Sequence, residues 1–348
     1  MLHWRQKLPQ TLLYTITTIL SRRQLDRLVG LRQLSGRQIQ EYCDARGVRH
    51  ERVTVAIPTA EFPSAHLHLV TLPDASPSGP TLFYAHGGGY QYPMRARGCM
   101  PLVFHLARSC KAARIAFLEY SLTPATQYPG QFTQAVEGLR YLIDQGTSPS
   151  DLVLGGDSAG GHLIAGLLLH IKKPAPGVRP LELHEKIRGA VLLSPWLTMK
   201  EMSQSAIVNE GFDFLHRDQI EQFAKLFKPD MTHVWANPME APSAELIWAQ
   251  VLGRVQPAQS VVRKLLVTAG DAEVLFDSCK RFAQDYAGAT TVSMGSRDKS
   301  MVEMHKDEPV IFAVGSNEVH VQPALDASQG YYSGGTMIAL TAFLNDLQ

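Results

Sequence analysis

The chain has 348 residues, 45% hydrophobic and 19% charged, an ordinary globular balance for a chain long enough to bury a large core. Lys and Arg number 33 against 32 Asp and Glu, and a net charge of +1 excludes the broad basic field of a general nucleic-acid binder. The four cysteines, Cys43, Cys99, Cys110 and Cys279, form no CxxC pair, which excludes a disulfide framework or a cysteine zinc site and points to reduced thiols in the cytoplasm.

Residues 1–25 hold no acidic side chain and carry Arg5, Lys7, Arg22 and Arg23. The apolar run from Leu12 to Leu20 is too short to span a bilayer and lacks a small-residue cleavage site, so a signal peptide is not expected. A transit peptide shares this acid-poor composition, but an amphipathic helix with Leu12, Ile16, Ile19 and Leu20 on one face is the preferred reading. Ten Lys/Arg against four Asp/Glu over residues 1–52 read as a solvated helix face ahead of contact with an anionic membrane surface. Leu25, Leu28, Val29, Leu31 and Leu34 then recur at helical spacing, so residues 1–50 are expected to form a helical N-terminal cap segment.

From residue 51 to 348 the pattern is that of an α/β unit. Alternation over Arg52–Ile57 and Leu67–Leu72 predicts strands, with a Pro/Ser/Gly turn from Pro73 to Pro80 between them and the strand Thr81–Ala85. Further strands are predicted at Ile115–Glu119, Leu152–Leu154, Ile187–Leu193, Lys264–Thr268 and Thr290–Met294. Helices are predicted at Phe132–Ile143, Ala159–Ile171 and Leu275–Tyr286. Apolar strands alternating with helices imply a mostly parallel sheet covered on both faces. Residues 199–260, without a good strand, form a candidate cap insertion.

Gly156-Asp157-Ser158-Ala159-Gly160 places G-x-S-x-G between an apolar strand and an apolar helix, the context in which a nucleophilic serine is lifted onto a tight turn. Small neighbours let strand and helix close on it, and the helix dipole favours negative charge at its amino end. His86-Gly87-Gly88-Gly89 follows another strand and offers unobstructed backbone N–H groups; two of these with the N–H of Ala159 suit a developing oxyanion. His86 itself reads as a loop support.

HGGGY, then Tyr120-Ser121-Leu122-Thr123-Pro124 with Tyr128-Pro129, then GDSAGG, resembles the hormone-sensitive-lipase-like branch of the α/β hydrolases (α/β-hydrolase fold-3) over about residues 80–345. The Leu193-Ser194-Pro195-Trp196 segment is similar to fungal steryl acetyl hydrolases and secondary-metabolite esterases. The resemblance implies an α/β-hydrolase fold with a helical cap, an oxyanion hole of Gly88, Gly89 and Ala159, and no metal or organic cofactor.

A serine nucleophile needs a histidine base and a carboxylate to orient it, in the chain order Ser, Asp/Glu, His. His305, in the polar loop Asp298–Asp307, is preferred over His320, which lies in an apolar alternating stretch. For the acid, Asp271, Glu273 and Asp277 follow the strand at Lys264–Thr268. The family pattern, an acid followed by Pro-Leu-x-Asp, matches Leu275 and Asp277 and so implies Glu273, with Val274 in place of the proline; Asp271 stays open. His305-Lys306-Asp307 also departs from the small apolar residue and Phe usual after the histidine.

Tyr90, Trp196, Phe212 and Phe214 are candidate substrate-binding residues. The expected partner is a small lipophilic ester, such as an acetylated sterol, polyketide or terpenoid. An acyltransferase or cyclase using the same site is the alternative, followed by a non-catalytic small-molecule-binding protein. No feature specifies an oligomeric state.

Overall fold

The computed structural model describes residues 2–20, 24, 34–295 and 305–348. Nine strands form one sheet: β1 (Arg49–Val55), β2 (Ala65–Thr71), β3 (Thr81–Ala85), β4 (Arg114–Glu119), β5 (Leu152–Asp157), β6 (Gly189–Leu193), β7 (Leu265–Gly270), β8 (Thr290–Met294) and β9 (Val310–Gly315), in the order β1-β2-β4-β3-β5-β6-β7-β9-β8. The β1–β2 and β2–β4 pairs are antiparallel and every other pair is parallel. This is the doubly covered, mostly parallel sheet expected from the sequence. Its physical signature is that β3, β6, β7 and β9 are buried along their whole length, as strands covered on both faces must be.

Two buried apolar layers flank the sheet. One is built with helices Gly130–Asp144, Ala159–Lys172, Ala244–Val251 and Phe276–Arg281; the other with Ser35–Asp44, Ala96–Ser109, Gln322–Ser328 and Gly335–Asp346. We number the helices α1 (Trp4–Ile19), α2 (Ser35–Asp44), α3 (Ala96–Ser109), α4 (Gly130–Asp144), α5 (Ala159–Lys172), α6 (Gln204–Val208), α7 (Arg217–Phe227), α8 (Ala244–Val251), α9 (Phe276–Arg281), α10 (Gln322–Ser328) and α11 (Gly335–Asp346). The residues of α5 are apolar around almost its full circumference, and from Ala159 to His170 every one is buried.

The chain reverses its direction of travel across the sheet between β3 and β5, which are neighbours although β4 lies between them in sequence. Loops leaving the carboxyl ends of strands at such a point diverge and open a crevice. The HGGG loop leaves β3 there and Ser158 leaves β5. Residues 199–260 hold α6, α7, α8 and two short 3-10 turns but no strand.

Two local expectations change. The strand expected from Ile187 starts at Gly189, with Ile187 making only an isolated bridge to Val262. Val310–Gly315, for which no element was predicted, is the final strand β9; it slots between β7 and the earlier β8. Of the helix expected from Leu25 to Leu34, residues 25–33 lie outside the described residues.

Candidate active site

Ser158 sits between β5 and α5 with φ 52° and ψ −118°. A non-glycine residue at positive φ costs on the order of 1–3 kcal/mol and persists only where its surroundings enforce it. Here they do: the Ser158 N–H donates to Leu193 O at 2.9 Å, its carbonyl accepts from Trp196 N at 3.1 Å, and a Cβ on Gly160 would collide with the Ala85 carbonyl. The first turn of α5 also directs its unpaired N–H groups, Ala159's among them, toward this bend.

Opposite lies the loop after β3. Gly88 and Gly89 have φ of 109° and 61°, which only glycine adopts freely. Gly87 N–H and the Tyr84 hydroxyl donate to the half-buried Asp157 carboxylate, the hydroxyl at 2.8 Å. No hydrogen bond of the described residues engages the N–H of Gly88 or Gly89. His86 Nδ1–H donates to Gly87 O at 2.6 Å, its Nε2 lies 3.2 Å from Ser35 Oγ, and Tyr120 donates to the His86 carbonyl at 2.7 Å. Burial pulls the His86 pKa down to about 4, so the ring stays neutral and acts as a loop brace.

The loops after β7 and β9 bring the acid and an imidazole to the same sheet end. Glu273 is fully buried; its Oε2 accepts from Ser194 Oγ at 2.7 Å and Gly270 N at 3.3 Å. His320 Nδ1 lies 3.8 Å from that same oxygen, beyond hydrogen-bond length, and Nδ1 has no hydrogen-bond partner. Burial opposes the imidazolium, but the carboxylates of Glu273, Asp213 and Asp157 outweigh it and hold the His320 pKa above its ordinary value. Ser194, itself at φ 45°, joins the parts: its Oγ donates to Glu273 and accepts from Val321 N at 3.2 Å. Asn317 and Val321, at φ 60° and 51°, flank the histidine in a tightly turned loop.

His305 does not reach this site, and the expectation that it supplies the base is corrected. It lies in a turn before β9, beside the start of β7: Leu265 N donates to Pro309 O at 2.8 Å, and Lys264 reaches the Lys306 carbonyl. It therefore stands at the amino end of the sheet, while Ser158 stands at the carboxyl end, roughly 20 Å away along a six-residue strand. Asp271, the open alternative for the acid, spends its carboxylate on Asn317 N at 2.6 Å, whereas Asp277 accepts from Ser205 N at 2.8 Å.

The candidate substrate-binding residues separate. Phe214 lies with its ring centroid 6.0 Å from His320. Tyr90 is fully buried, stacked on Phe227 at 4.3 Å with its hydroxyl donating to His162 Nδ1 at 2.6 Å, which corrects its reading as a pocket residue. Trp196 is buried in the same aromatic cluster, its indole N–H without a partner. Phe212 is exposed. The sequence reading missed Phe223 of α7, whose ring lies against Gly89 and edge-on to Tyr92 at 5.8 Å.

It also missed Asp213. This fully buried carboxylate accepts from Val274 N at 2.9 Å, His320 N at 3.3 Å and Leu215 N at 3.4 Å, tying the 199–260 segment to both the acid and histidine loops. Burial pushes its pKa up to about 7. A lone aspartate among aromatics offered no periodic or motif signal. Among the described residues no cluster of three or more His, Cys, Asp or Glu is placed to hold a metal ion, and no helix is long and apolar enough to cross a membrane. A hydroxyl, an imidazole, a buried carboxylate and free backbone donors thus converge at one sheet end, the parts that acyl transfer requires.

The Abhydrolase_3 family, described as alpha/beta hydrolase fold, matches residues 82–301. An acetyl-hydrolase of Streptomyces hygroscopicus is 31% identical over 221 residues, 60% of this chain and 62% of that protein. An esterase of Acinetobacter venetianus is 26% identical over 204 residues, 58% of this chain and 60% of its own. The chain thus spans about three fifths of the length of these relatives. The crystal structure of an esterase from the bacterial hormone-sensitive lipase family superposes with a TM-score of 0.64 at 20% identity, covering 99% of this chain and 98% of that one.

Proposed function

Since the chain belongs to the alpha/beta hydrolase fold family that matches residues 82–301, we propose that it is a serine carboxylic-ester hydrolase of the hormone-sensitive-lipase-like branch in which Ser158, His320 and Glu273 act together. The observation that carries this reading is Ser158 on a strained turn at the carboxyl end of the sheet, the end that also carries the unengaged N–H groups of Gly88 and Gly89 and the His320–Glu273 pair. Ser158 Oγ attacks the ester carbonyl as His320 takes its proton, and the oxyanion forms on the N–H groups of Gly88, Gly89 and Ala159. His320 then protonates the leaving alcohol, and water activated by the same imidazole releases the acid. Glu273 orients the ring and offsets its transient charge; the 3.8 Å contact tightens to a hydrogen bond as the cation forms. Phe214 beside His320 and Phe223 against Gly89 supply apolar surface that suits a lipophilic ester. The acetyl-hydrolase among the relatives supports a small acyl group. The unpaired thiols, of which Cys43, Cys110 and Cys279 are buried, suit a cytoplasmic setting.

Hydrolysis of p-nitrophenyl esters of rising chain length tests the reading; failure to turn over any of them refutes it. On the best ester, Glu273→Gln is expected to lower kcat by about 10²–10⁴-fold, because an amide facing Nδ1 presents a donor where the imidazole needs an acceptor. Asp271→Asn is expected to stay within about threefold, since the amide oxygen still accepts from Asn317 N. Equal losses in the two variants would contradict the assignment of Glu273.

The acid limb of the pH–kcat/KM profile follows from the charges on His320. Activity rises with pH as the imidazole loses its proton, at a midpoint above about 6.5, the ordinary histidine value. Asp213→Asn removes one carboxylate that favours the cation, so its acid limb is expected to move to lower pH. An unmoved or raised midpoint would show that Asp213 does not act on His320.

A further inference from the structure

Helix α1 is amphipathic with its faces inverted. Its inward side is anchored by polar groups: Gln6, fully buried, donates to Asp326 Oδ2 at 3.0 Å and Glu318 Oε1 at 3.4 Å, and His3 stacks on Tyr331 with centroids 4.8 Å apart. Thr17 Oγ1 lies 3.4 Å from His216 Nε2, at the start of α7. Its outward side is mostly apolar, with Trp4, Leu8, Leu12 and Ile19 exposed by 63%, 59%, 59% and 72% around Thr15, whose hydroxyl donates back to Thr11 O. At about 100° per residue these four fall within an arc of roughly 80°, opposite Gln6. A helix that meets only water carries the reverse pattern.

The charges around this stripe have one sign. Arg5 and Lys7 border the arc on its two sides, both exposed, with the Arg5 guanidinium 5.4 Å from the Trp4 ring centroid. The helix carries no carboxylate. Close to His216 in the chain, Ile207, Val208 and Phe212 are also exposed, and Asn209 between them donates to the carbonyls of Asp271 and Glu273 at 3.0 and 2.9 Å. The apolar outer face of α1 thus runs toward the segment that covers the acid loop.

We propose that the outer face of α1 docks on an anionic lipid surface, with Trp4, Leu8, Leu12 and Ile19 in the headgroup–acyl boundary and Arg5 and Lys7 on lipid phosphates. An interfacial helix binds through buried apolar area plus attraction of its cations to anionic headgroups, and a tryptophan fits that boundary. Resting on the hydrolase reading above, this makes the substrate class an ester drawn from a lipid phase. This proposal departs from the expectation of a merely solvated basic face, because the exposed side carries hydrocarbon and its cations flank it.

The full chain is tested by co-sedimentation with vesicles of phosphatidylcholine alone and of phosphatidylcholine mixed with phosphatidylglycerol. Binding is expected to be stronger to the mixed vesicles and to fall with salt. Each of Arg5→Gln and Lys7→Gln is expected to weaken it about fivefold, and the combined Trp4→Ser, Leu8→Ser and Leu12→Ser variant to lose it. All variants keep wild-type turnover of a water-soluble p-nitrophenyl ester, so loss of docking and loss of catalysis are read separately. Trp4 is the exposed tryptophan, the other three being buried, and brominated lipid is expected to quench its fluorescence. No association with the mixed vesicles, or a dimer dispersed by the triple serine variant without vesicle binding, would overturn the proposal; the latter would assign the face to a second copy of the chain.

Discussion

Replacing His320 by alanine is expected to lower kcat/KM for a p-nitrophenyl ester by about 10⁴–10⁶-fold, while His305→Ala stays within about twofold of wild type. The large loss follows because the nucleophile of an acyl-transfer site is inert without its base, and removing one such partner costs nearly as much as removing the set. His305 sits at the opposite end of β9 and touches neither the serine bend nor the glycine loop, so its loss is an ordinary surface change worth no more than about 0.5 kcal/mol. The two variants together separate the imidazole at the carboxyl end of the sheet from the one at the amino end. A collapse in His305→Ala with activity retained in His320→Ala would reverse the assignment.

Ser158→Ala is expected to reduce turnover by a comparable factor and to leave the melting temperature within about 2 °C of wild type. The backbone of residue 158 is held by Leu193 O and Trp196 N, and neither contact uses the side chain. Alanine meets the same positive-φ strain as serine, so the folded state loses little. Residual catalysis comes from the oxyanion donors alone. Activity near wild type in this variant would mean that another group attacks.

The fold and half of the site were legible because their signals are local. Continuous apolar strands, glycine-flanked Ser158 and the triplet after β3 each need their residue types within a few positions, for backbone reasons that sequence displays directly. Glu273, the proposed acid, was reached through the family pattern that matches Leu275 and Asp277, with Asp271 left open. The proposed base moves from His305 to His320 because strand order in space departs from order in sequence: β8 takes the sheet edge and β9 inserts beside β7, so the loop preceding β9 points to the end away from Ser158. Reading Val310–Gly315 as a fully buried strand would have moved the histidine to the loop that follows it. Asp213 and Phe223 reach the site only through tertiary packing of the segment between β6 and β7, and nothing in their sequence neighbourhood marks them.

The most direct test of the account is reaction with a fluorophosphonate followed by peptide mass spectrometry. The account predicts a single adduct on Ser158 in the wild type and in His305→Ala, and its near-complete loss in His320→Ala. No adduct on Ser158 of the wild-type protein, or full labelling in His320→Ala, would contradict it.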